Sequence, residues 1–287
     1  MSNRFHTTDK VPEPSKDQHI LVDEDILETI IRNAEIKNDD TVLEIGGGPG
    51  NLTERIAKCA HKVFVIEKDA TYVEMLKEKF EAGNVTVIEG AIIDMKLPTF
   101  NKIVSNIPYS ISEPLFLMLI KEKRDLDSST IVLPRDFVKR MVTPVFSPLF
   151  GMVSALFTAF YHVEIIAQIP KEAFSPPPRV TSYCVKIRQK PQVPSKKTRV
   201  EYLIQRLFLY DEKNVKNIFL ETLWNHGLEL TGRTVTKREA RDLIHTIFGE
   251  EFHSFSHKKV AHLSNEHIKK IVSRLMCWDV YETYGIT

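Results

Sequence analysis

The sequence predicts an α/β protein with a doubly wound, Rossmann-like parallel sheet, followed by a small helical C-terminal domain. Between residues 40 and 187, short apolar runs rich in β-branched residues alternate with amphipathic stretches. Strand alternating with helix is typical of a doubly wound sheet. After about residue 190 the alternation stops and apolar residues recur at helical spacing, which predicts the helical domain.

The expected elements follow in chain order. Apolar runs predict strands at 41–45, 62–66, 85–88, 102–105 and 130–133, and amphipathic stretches predict helices at 52–59, 70–80 and 114–121. Further helices are indicated by the apolar residues Val200, Leu203, Ile204 and Leu207, and again by Leu243, Ile244 and Ile247. In such a sheet, ligands bind at the carboxyl ends of the strands, so the loops that follow the strands are the places to look for chemistry.

The length and composition indicate two globular domains. The chain has 287 residues, of which 43% are hydrophobic. We predict a flexible N-terminal tail at 1–16, a first domain at 17–190 and a helical domain at 191–287, with Pro191, Pro194 and the run Ser195-Lys196-Lys197 forming a linker. No apolar stretch approaches the roughly 20 residues that span a bilayer, and the N-terminus is polar. We therefore expect a cytoplasmic protein, and we expect it to be a monomer.

Neither disulfides nor a metal site is expected. The three cysteines, Cys59, Cys184 and Cys277, are far apart and odd in number. Six of the ten histidines follow residue 190, but only His253 and His257 have ligand-like spacing, and no carboxylate partner accompanies them.

The charge of the chain is unevenly distributed. The formal net charge is only +1, yet from residue 191 onward 15 Lys and Arg stand against 12 Asp and Glu, a charge of +3. Basic residues recur at roughly helical spacing at Arg233, Lys237, Arg238 and Arg241. They predict either a surface that faces phosphates or an ordinary solvated helix face.

The first loop after a predicted strand is Glu44-Ile45-Gly46-Gly47-Gly48-Pro49-Gly50. Glycines let the backbone approach a ligand closely, and the loop opens a helix with an electropositive N-terminus. A dinucleotide fingerprint beginning at Gly46 requires Gly or Ala at position 51, where this chain has Asn51, so a pyrophosphate site is disfavoured. The Glu-x-Gly-x-Gly-x-Gly pattern instead resembles the first motif of S-adenosylmethionine-dependent methyltransferases.

The second and third loops carry the rest of the expected cofactor site. Glu67 follows the Gly-rich loop by about 20 residues, a position from which a carboxylate can accept both ribose hydroxyls, although NAD enzymes place an acid similarly. At the third loop, an Asp that receives the adenine amino group is expected at position 91, but the chain has Ala91. Backbone groups of Gly90 or Ala91, or the carboxylates of Glu89 or Asp94, are the alternatives.

The fourth loop, Asn106-Ile107-Pro108-Tyr109, suits a pocket for an amino group on a flat ring. The Asn106 carboxamide oxygen and the Ile107 or Pro108 carbonyl can accept hydrogen bonds from an exocyclic amine, while the Tyr109 ring stacks on the base. Adenine is the obvious candidate. Taken alone, the four residues are also compatible with an ordinary turn.

Four motifs occur in order: Asp17-Gln18-His19-Ile20-Leu21, the loop 44–50, Asn106-Ile107-Pro108-Tyr109-Ser110-Ile111-Ser112, and Phe174-Ser175-Pro176-Pro177-Pro178-Arg179-Val180. Together they resemble the ribosomal small-subunit RNA adenine dimethyltransferase family, in its archaeal and eukaryotic form. The resemblance covers residues 17 to about 190 well and extends weakly through 260–266.

The resemblance implies an enzyme with a class I methyltransferase domain at 17–190 that uses S-adenosyl-L-methionine, and a helical RNA-binding domain at 191–287. Its substrate would be small-subunit rRNA in the immature ribosomal subunit, dimethylated on two adjacent adenosines near the 3′ end. Residues implied in cofactor binding are His19, Leu21, Gly46, Gly48, Glu67, Ala91 and Asn106. Those implied in holding the target base are Asn106, Pro108, Tyr109 and Phe174; packing of Phe174 in the core is the alternative.

The chain departs from the family pattern at three places. Ala91 replaces the usual Asp, Pro134 stands where a Gln is usual, and the stretch 208–214 replaces a more basic one, although Lys213 and Lys216 remain. These departures leave a second hypothesis open, a ribosome-assembly or nucleic-acid-binding factor that keeps the fold with reduced or no methylation. An enzyme acting on large-subunit rRNA or on DNA is less favoured, since the N-terminal motif differs from the former and no DNA-reading domain is evident.

Overall fold

A computed structural model describes residues 12–13, 15, 18–122, 126–190 and 198–284 of the chain. The predicted linker at 191–197, Asp17 of the N-terminal motif and most of the predicted N-terminal tail lie outside these described residues.

Strands and helices alternate through the first half of the described chain. The strands are β1 (Ile20–Leu21), β2 (Thr41–Ile45), β3 (Lys62–Glu67), β4 (Val85–Glu89), β5 (Lys102–Asn106), β6 (Ser128–Pro134), β7 (Tyr161–Ile169), β8 (Phe174–Ser175) and β9 (Ser182–Gln189). The helices are α1 (Glu24–Ala34), α2 (Asn51–Cys59), α3 (Ala70–Lys79), α4 (Ser112–Lys121), α5 (Arg135–Met141), α6 (Met152–Phe160), α7 (Arg199–Leu209), α8 (Val215–Asn225), α9 (Gly227–Thr231), α10 (Lys237–Phe248) and α11 (Asn265–Tyr284).

Seven strands form the main sheet, in the order β4-β3-β2-β5-β6-β9-β7. Neighbours from β4 to β6 are parallel, and β9 joins β6 antiparallel. The predicted α/β class is confirmed, and all five predicted strands are present. A separate antiparallel pair, β1 with β8, aligns Leu21 with Phe174 and had no signal in the sequence.

Register brings the loops after the strands to one edge of the sheet. Ile45 is aligned with Ile66, and Glu67 with Glu89, so β2, β3 and β4 end at the same level. Val42, Val63 and Ile103 are fully buried. Burial on both faces explains why these strands read as continuous apolar runs rather than as an alternating pattern.

The chain divides into two compact units. The first comprises Met1–Val138 and Glu164–Arg188, and the second Lys139–Val163 and Gln189–Thr287. The second unit therefore includes α6, which the sequence had placed in the first domain. The domain boundaries at residues 17 and 190, which were inferred from the sequence, stay a prediction.

In the second unit, the predicted helical periodicity is confirmed. Val200, Leu203 and Leu207 are buried on α7, and Ile244 and Ile247 are buried on α10. Both helices begin with reciprocal capping boxes, Thr198 with Glu201 and Thr236 with Glu239. These boxes satisfy backbone N–H groups that the first helical turn leaves unpaired. Among the described residues, no helix is both long and apolar enough to cross a membrane.

Candidate active site

A cavity opens at the carboxyl ends of β2 to β5, within the first unit. This is the edge at which ligands bind in open α/β sheets. The lining of the cavity comprises Gln18, His19, Ile20, Ile45, Gly46, Gly48, Ile66, Glu67, Lys68, Tyr72, Gly90, Ala91, Ile92, Ile93, Asn106, Ile107, Pro108, Tyr109 and Ile111. All four loops singled out in the sequence therefore meet at one cavity.

The Gly-rich loop lines the cavity where β2 ends. Gly46 and Gly48 have φ angles of 78° and 51°, a left-handed conformation that favours glycine. A Cβ atom on Gly47 would lie 2.4 Å from Val65 Cγ1, and one on Gly46 would lie 3.3 Å from Pro108 Cδ. Glycine is therefore needed both for backbone geometry and for the close approach of this loop to its neighbours.

Glu67 is fixed by backbone hydrogen bonds at the end of β3. Its Oε2 accepts from the Gly48 N–H at 3.0 Å, and its Oε1 accepts from the N–H groups of Lys68 and Asp69 at 2.8 and 2.9 Å. A carboxylate offers about four lone-pair sites, and three of them are used here, so about one remains for a hydroxyl group of a ligand.

Glu44 is a buried carboxyl group whose individual importance the sequence did not indicate. The Thr53 hydroxyl donates to Glu44 Oε2 at 2.6 Å. Burial raises the pKa of Glu44 to about 8, and the Glu67 carboxylate acts in the same direction, whereas the hydrogen bond from Thr53 lowers the pKa. Glu44 is therefore mostly protonated at pH 7.

The loop after β4 offers backbone groups and apolar side chains. Gly90, Ala91, Ile92 and Ile93 line the cavity, but Glu89 and Asp94 are not among the lining residues. Of the four alternatives that the sequence left open for the missing Asp, the two that place backbone near the cavity are compatible with this geometry. The Ala91 carbonyl already accepts the Asp94 N–H at 3.0 Å.

Asn106 presents an unused acceptor. Its Nδ2 donates to the His19 carbonyl at 3.0 Å. Because a carbonyl can only accept, this bond determines which end of the carboxamide is nitrogen. The opposite atom, Oδ1, is buried and has no hydrogen-bond partner among the described residues. A buried acceptor of this kind costs free energy unless a ligand donates to it.

The ring of Tyr109, in the fourth loop, lies next to the ring of His19. The Tyr109 hydroxyl is hydrogen-bonded to the Ser182 hydroxyl. The His19 and Tyr109 rings are 6.2 Å apart between centroids with an interplanar angle of 29°. His19 Nδ1 donates to the Pro176 carbonyl at 2.9 Å. Both rings are thus held from their polar ends.

Leu21 and Phe174 lie apart from the lining of this cavity. They are opposite each other in the β1–β8 pair, only 4% and 2% exposed, and they belong to the hydrophobic core. The Leu21 carbonyl accepts from Asn51 Nδ2 at 3.0 Å next to the Gly-rich loop. In this conformation Phe174 packs in the core, and its role in holding a base stays a prediction.

With this geometry established, comparison with known proteins identifies the family. Residues 13–257 match the family model described as ribosomal RNA adenine dimethylase. The chain belongs to this family. The resemblance inferred from the four motifs is confirmed.

Curated relatives and a solved structure agree. A protein of Methanococcoides burtonii is 38% identical, covering 75% of this chain and 79% of the relative. One of Thermococcus kodakarensis is 34% identical, covering 94% and 93%. Both carry the name "Probable ribosomal RNA small subunit methyltransferase A". The crystal structure of a dimethyladenosine transferase from Plasmodium falciparum superposes with a TM-score of 0.62 at 26% identity, covering 93% of this chain and 99% of that one.

Membership of the adenine dimethylase family makes the chain a methyltransferase, and the family together with the fold implies use of S-adenosylmethionine. The cavity fits such a cofactor on its own chemistry. It combines a glycine floor, the anchored carboxylate of Glu67 and the unpaired Oδ1 of Asn106. The individual residue roles stay predictions.

Proposed function

We propose that this protein transfers methyl groups from S-adenosylmethionine to the N6 atoms of two adjacent adenosines near the 3′ end of small-subunit rRNA, during ribosome assembly. The observation that carries the proposal is the buried, unpaired Oδ1 of Asn106 at the end of β5. The names of the family and of the curated relatives support the substrate class.

The cofactor would be held at the first three loops. Gly46 and Gly48 would give it backbone contact, Glu67 would accept from a ribose hydroxyl, and the backbone at Ala91 would face its adenine. When bound, S-adenosylmethionine supplies an electrophilic methyl group. His19 and Leu21 belong to the N-terminal segment that lies next to the Gly-rich loop. Ile20, the residue between them, is so close that its Cδ1 would lie 3.1 Å from a Cβ atom on Gly48.

The target base would be held at the fourth loop. The N6 lone pair of adenine is delocalised into the ring, so the amine is a poor nucleophile. Hydrogen bonds from the amine to Asn106 Oδ1 and to a main-chain oxygen of Ile107 or Pro108 favour a pyramidal nitrogen, the geometry that attack requires. The Pro108 carbonyl accepts the Ile111 N–H at 3.2 Å and has a second lone pair available.

Proton transfer is a minor part of this chemistry. The methylated nitrogen is acidic enough to release its proton to water, so positioning by Asn106 and Tyr109 should dominate the rate enhancement. After the first transfer the amine retains one hydrogen, and Asn106 Oδ1 can still accept it. The same acceptor therefore serves both methylations.

The decisive experiment supplies immature small subunits and S-adenosylmethionine to the purified protein and analyses the digested rRNA by mass spectrometry. N6,N6-dimethyladenosine at two adjacent positions is the expected product. Binding of S-adenosylmethionine, measured by calorimetry, without any transfer would support the second hypothesis, an assembly factor on the same fold. Mapping of the methyl groups elsewhere would refute the substrate assignment.

Two variants of Tyr109 test how the base is held. Tyr109→Ala removes the stacking face, which contributes about 1 to 3 kcal/mol per base, and should lower kcat/KM by about 10- to 100-fold. Tyr109→Phe keeps the ring and loses the hydrogen bond to Ser182, so it should stay within a fewfold of the native enzyme. Equal losses in both variants would assign the effect to the hydroxyl group and exclude stacking as the reason.

A further inference from the structure

The cavity of the first unit has apolar walls at the end of β4. Its lining there consists of Gly90, Ala91, Ile92 and Ile93, and Ile66 of the neighbouring strand β3 also lines it. Every polar side chain of the lining comes from another place: the N-terminal segment, the end of β3 and the start of α3, or the fourth loop. Among the described residues, the end of β4 therefore provides no side chain that accepts a hydrogen bond inside the cavity.

Two carboxylates flank this stretch, but both lie outside the lining of the cavity. Glu89 precedes the stretch and Asp94 follows its last lining residue, and both are exposed. The carbonyl of Ala91 accepts the Asp94 N–H at 3.0 Å, so this backbone acceptor is already engaged in a turn. The stretch is fixed against β3, because the Gly90 N–H donates to the Glu67 carbonyl at 2.9 Å. A purine amino group placed here would thus meet no carboxylate of this stretch.

The same stretch is open to water. Ala91 is exposed and Ile93 is 39% exposed, whereas Ile92 is buried. An amino group at this edge can keep water as its hydrogen-bond partner, and exchanging one such partner for another changes the free energy little. Apolar walls also discriminate weakly between ligands that differ in one polar group, whereas a site with a dedicated acceptor rejects a ligand that lacks the matching donor. The geometry therefore predicts weak discrimination at the amino position of a bound purine.

The backbone at position 91 is compatible with a side chain that accepts hydrogen bonds. Ala91 has φ −90° and ψ 125°, an extended conformation that any L-residue adopts, and it precedes a short 3-10 helix, Ile92–Asp94. Its side chain is exposed, so a longer one has room. The identity of this residue, rather than the fold of the loop, therefore decides whether the cavity offers an acceptor here.

We propose that Ala91 gives this enzyme a relaxed specificity for the purine of its cofactor. A cofactor whose 6-amino group is missing, or carries a methyl group, binds nearly as well as the adenine form. The proposal rests on the proposed function, which places the adenine of S-adenosylmethionine at this end of the cavity, and it concerns that same site. The purine is held by apolar contact with Ile66 and Ile92, while Glu67 holds the ribose.

Calorimetry with S-adenosylhomocysteine tests this, because that ligand keeps the purine and the ribose but has no methyl group to transfer. Two analogues accompany it, one with unsubstituted purine in place of adenine and one with an N6-methyl group. The full-length native protein should bind all three with Kd values within about threefold of one another.

Ala91→Asp should create the discrimination that the native protein lacks. It should bind S-adenosylhomocysteine about tenfold more tightly than the native protein does. It should also prefer this ligand over the analogue without the amino group by about 10- to 100-fold, as expected for a hydrogen bond to a charged acceptor.

Two further variants separate a hydrogen bond from a change in charge. Ala91→Asn offers a neutral acceptor at the same position and should prefer the amino form by a smaller factor, about 3- to 10-fold. Thr99→Asp adds the same charge at an exposed position of the connection between β4 and β5, outside the lining of the cavity. It should bind all three ligands as the native protein does. Melting curves of the ligand-free variants by circular dichroism establish that each one is folded.

A loss of about tenfold or more for either analogue in the native protein would overturn the proposal, because a backbone acceptor such as the Gly90 carbonyl would then recognise the amino group. Equal affinity of Ala91→Asp for S-adenosylhomocysteine and for the analogue without the amino group would also overturn it, since position 91 would not lie beside the purine. So would the same preference in Thr99→Asp, which would show a general effect of charge.

The proposed function fails on a different result. A native protein that binds none of the three ligands has no site for the cofactor, and both proposals are then refuted. A native protein that binds S-adenosylhomocysteine and methylates subunits, but rejects both analogues, refutes only the role of Ala91.

Discussion

Glu44 lies near the end of β2, just before the glycines of the Gly-rich loop, and is only 1% exposed to water. A neutral Glu44 avoids placing a second negative charge beside Glu67, whose carboxylate the backbone N–H groups already hold. The two carboxyl groups therefore differ in role because their surroundings differ. That of Glu44 is buried and neutral, and that of Glu67 lies at the cavity as an acceptor.

This division predicts a stability difference that depends on pH. The pKa of Glu44 is raised in the folded state from 4.5 to about 8, so the folded protein prefers the protonated form. Its contribution is fully present below about pH 4.5 and is lost as pH rises through about 8. Glu44→Gln mimics the neutral form. It should match the native protein at about pH 4 and exceed its unfolding free energy by up to about 4 kcal/mol near pH 9.

Urea unfolding followed by circular dichroism at several pH values measures the difference. Glu54→Gln is a control of opposite sign, because hydrogen bonds from Lys79 and then Lys58 lower the pKa of Glu54. The native advantage over that variant should be present above about pH 4.5 and should vanish as pH falls through the lowered pKa. A Glu44→Gln difference that stays constant with pH would mean that Glu44 is charged in the folded state.

At the scale of elements, a buried ammonium group joins the C-terminus of α1 to β5. Lys102 Nζ lies 2.8 Å from Asp40 Oδ2 and donates to the carbonyls of Ala34 and Glu35 at 3.4 and 2.5 Å. Burial tends to raise the pKa of Asp40, but hydrogen bonds from Lys102, Lys37 and Asn101 outweigh it and lower the pKa overall. One side chain thus satisfies the end of a helix and a buried carboxylate at once.

Replacing Lys102 by Met should cost about 3 to 5 kcal/mol, because it leaves the Asp40 charge buried without its partner. Urea midpoints by circular dichroism measure the loss. Adding Asp40→Asn to the same protein should recover part of it, since no uncompensated charge then remains. A loss below about 1 kcal/mol in the single variant would show that the pair behaves as a solvent-exposed one.

Of the strands that the sequence indicated, β2, β3, β5 and β6 are largely buried in the parallel sheet, whereas the edge strand β4 is only partly buried. β2 to β6 could be predicted because the local composition and the tertiary environment both favour a strand there. β9 carries Lys186 and Arg188 among its apolar residues and pairs antiparallel, so the rule of strand alternating with helix did not reach it. β1 and β8 are two residues each, and their pairing across more than 150 positions leaves no local pattern.

The site shows the same limit. Loop positions placed Glu67, Asn106 and Tyr109 at one edge, since strand ends meet there, whereas His19 was indicated by the family resemblance alone. The unpaired Oδ1 of Asn106 and the raised pKa of Glu44 depend on which neighbours reach those atoms. Such partners come from distant parts of the chain, and spacing along one sequence does not encode them.

At the scale of the whole molecule, the two units carry separable signals. Every residue that lines the proposed cofactor cavity belongs to the first unit. Both tryptophans of the chain, Trp224 and Trp278, belong to the second. Tryptophan fluorescence therefore reports unfolding of the second unit, while circular dichroism reports both.

S-adenosylmethionine should raise the melting temperature that circular dichroism reports. A ligand that binds only the folded state at a concentration of about 100 Kd stabilises it by about 2.7 kcal/mol, which corresponds to about 5 to 10 °C in a protein of this size. NAD at the same concentration should give no shift, because Asn51 occupies the position where a dinucleotide site needs Gly or Ala. A shift with NAD and none with S-adenosylmethionine would show that the Gly-rich loop binds a dinucleotide and not S-adenosylmethionine. An equal shift in the fluorescence transition would add that the two units unfold together, so that a ligand of the first stabilises the second.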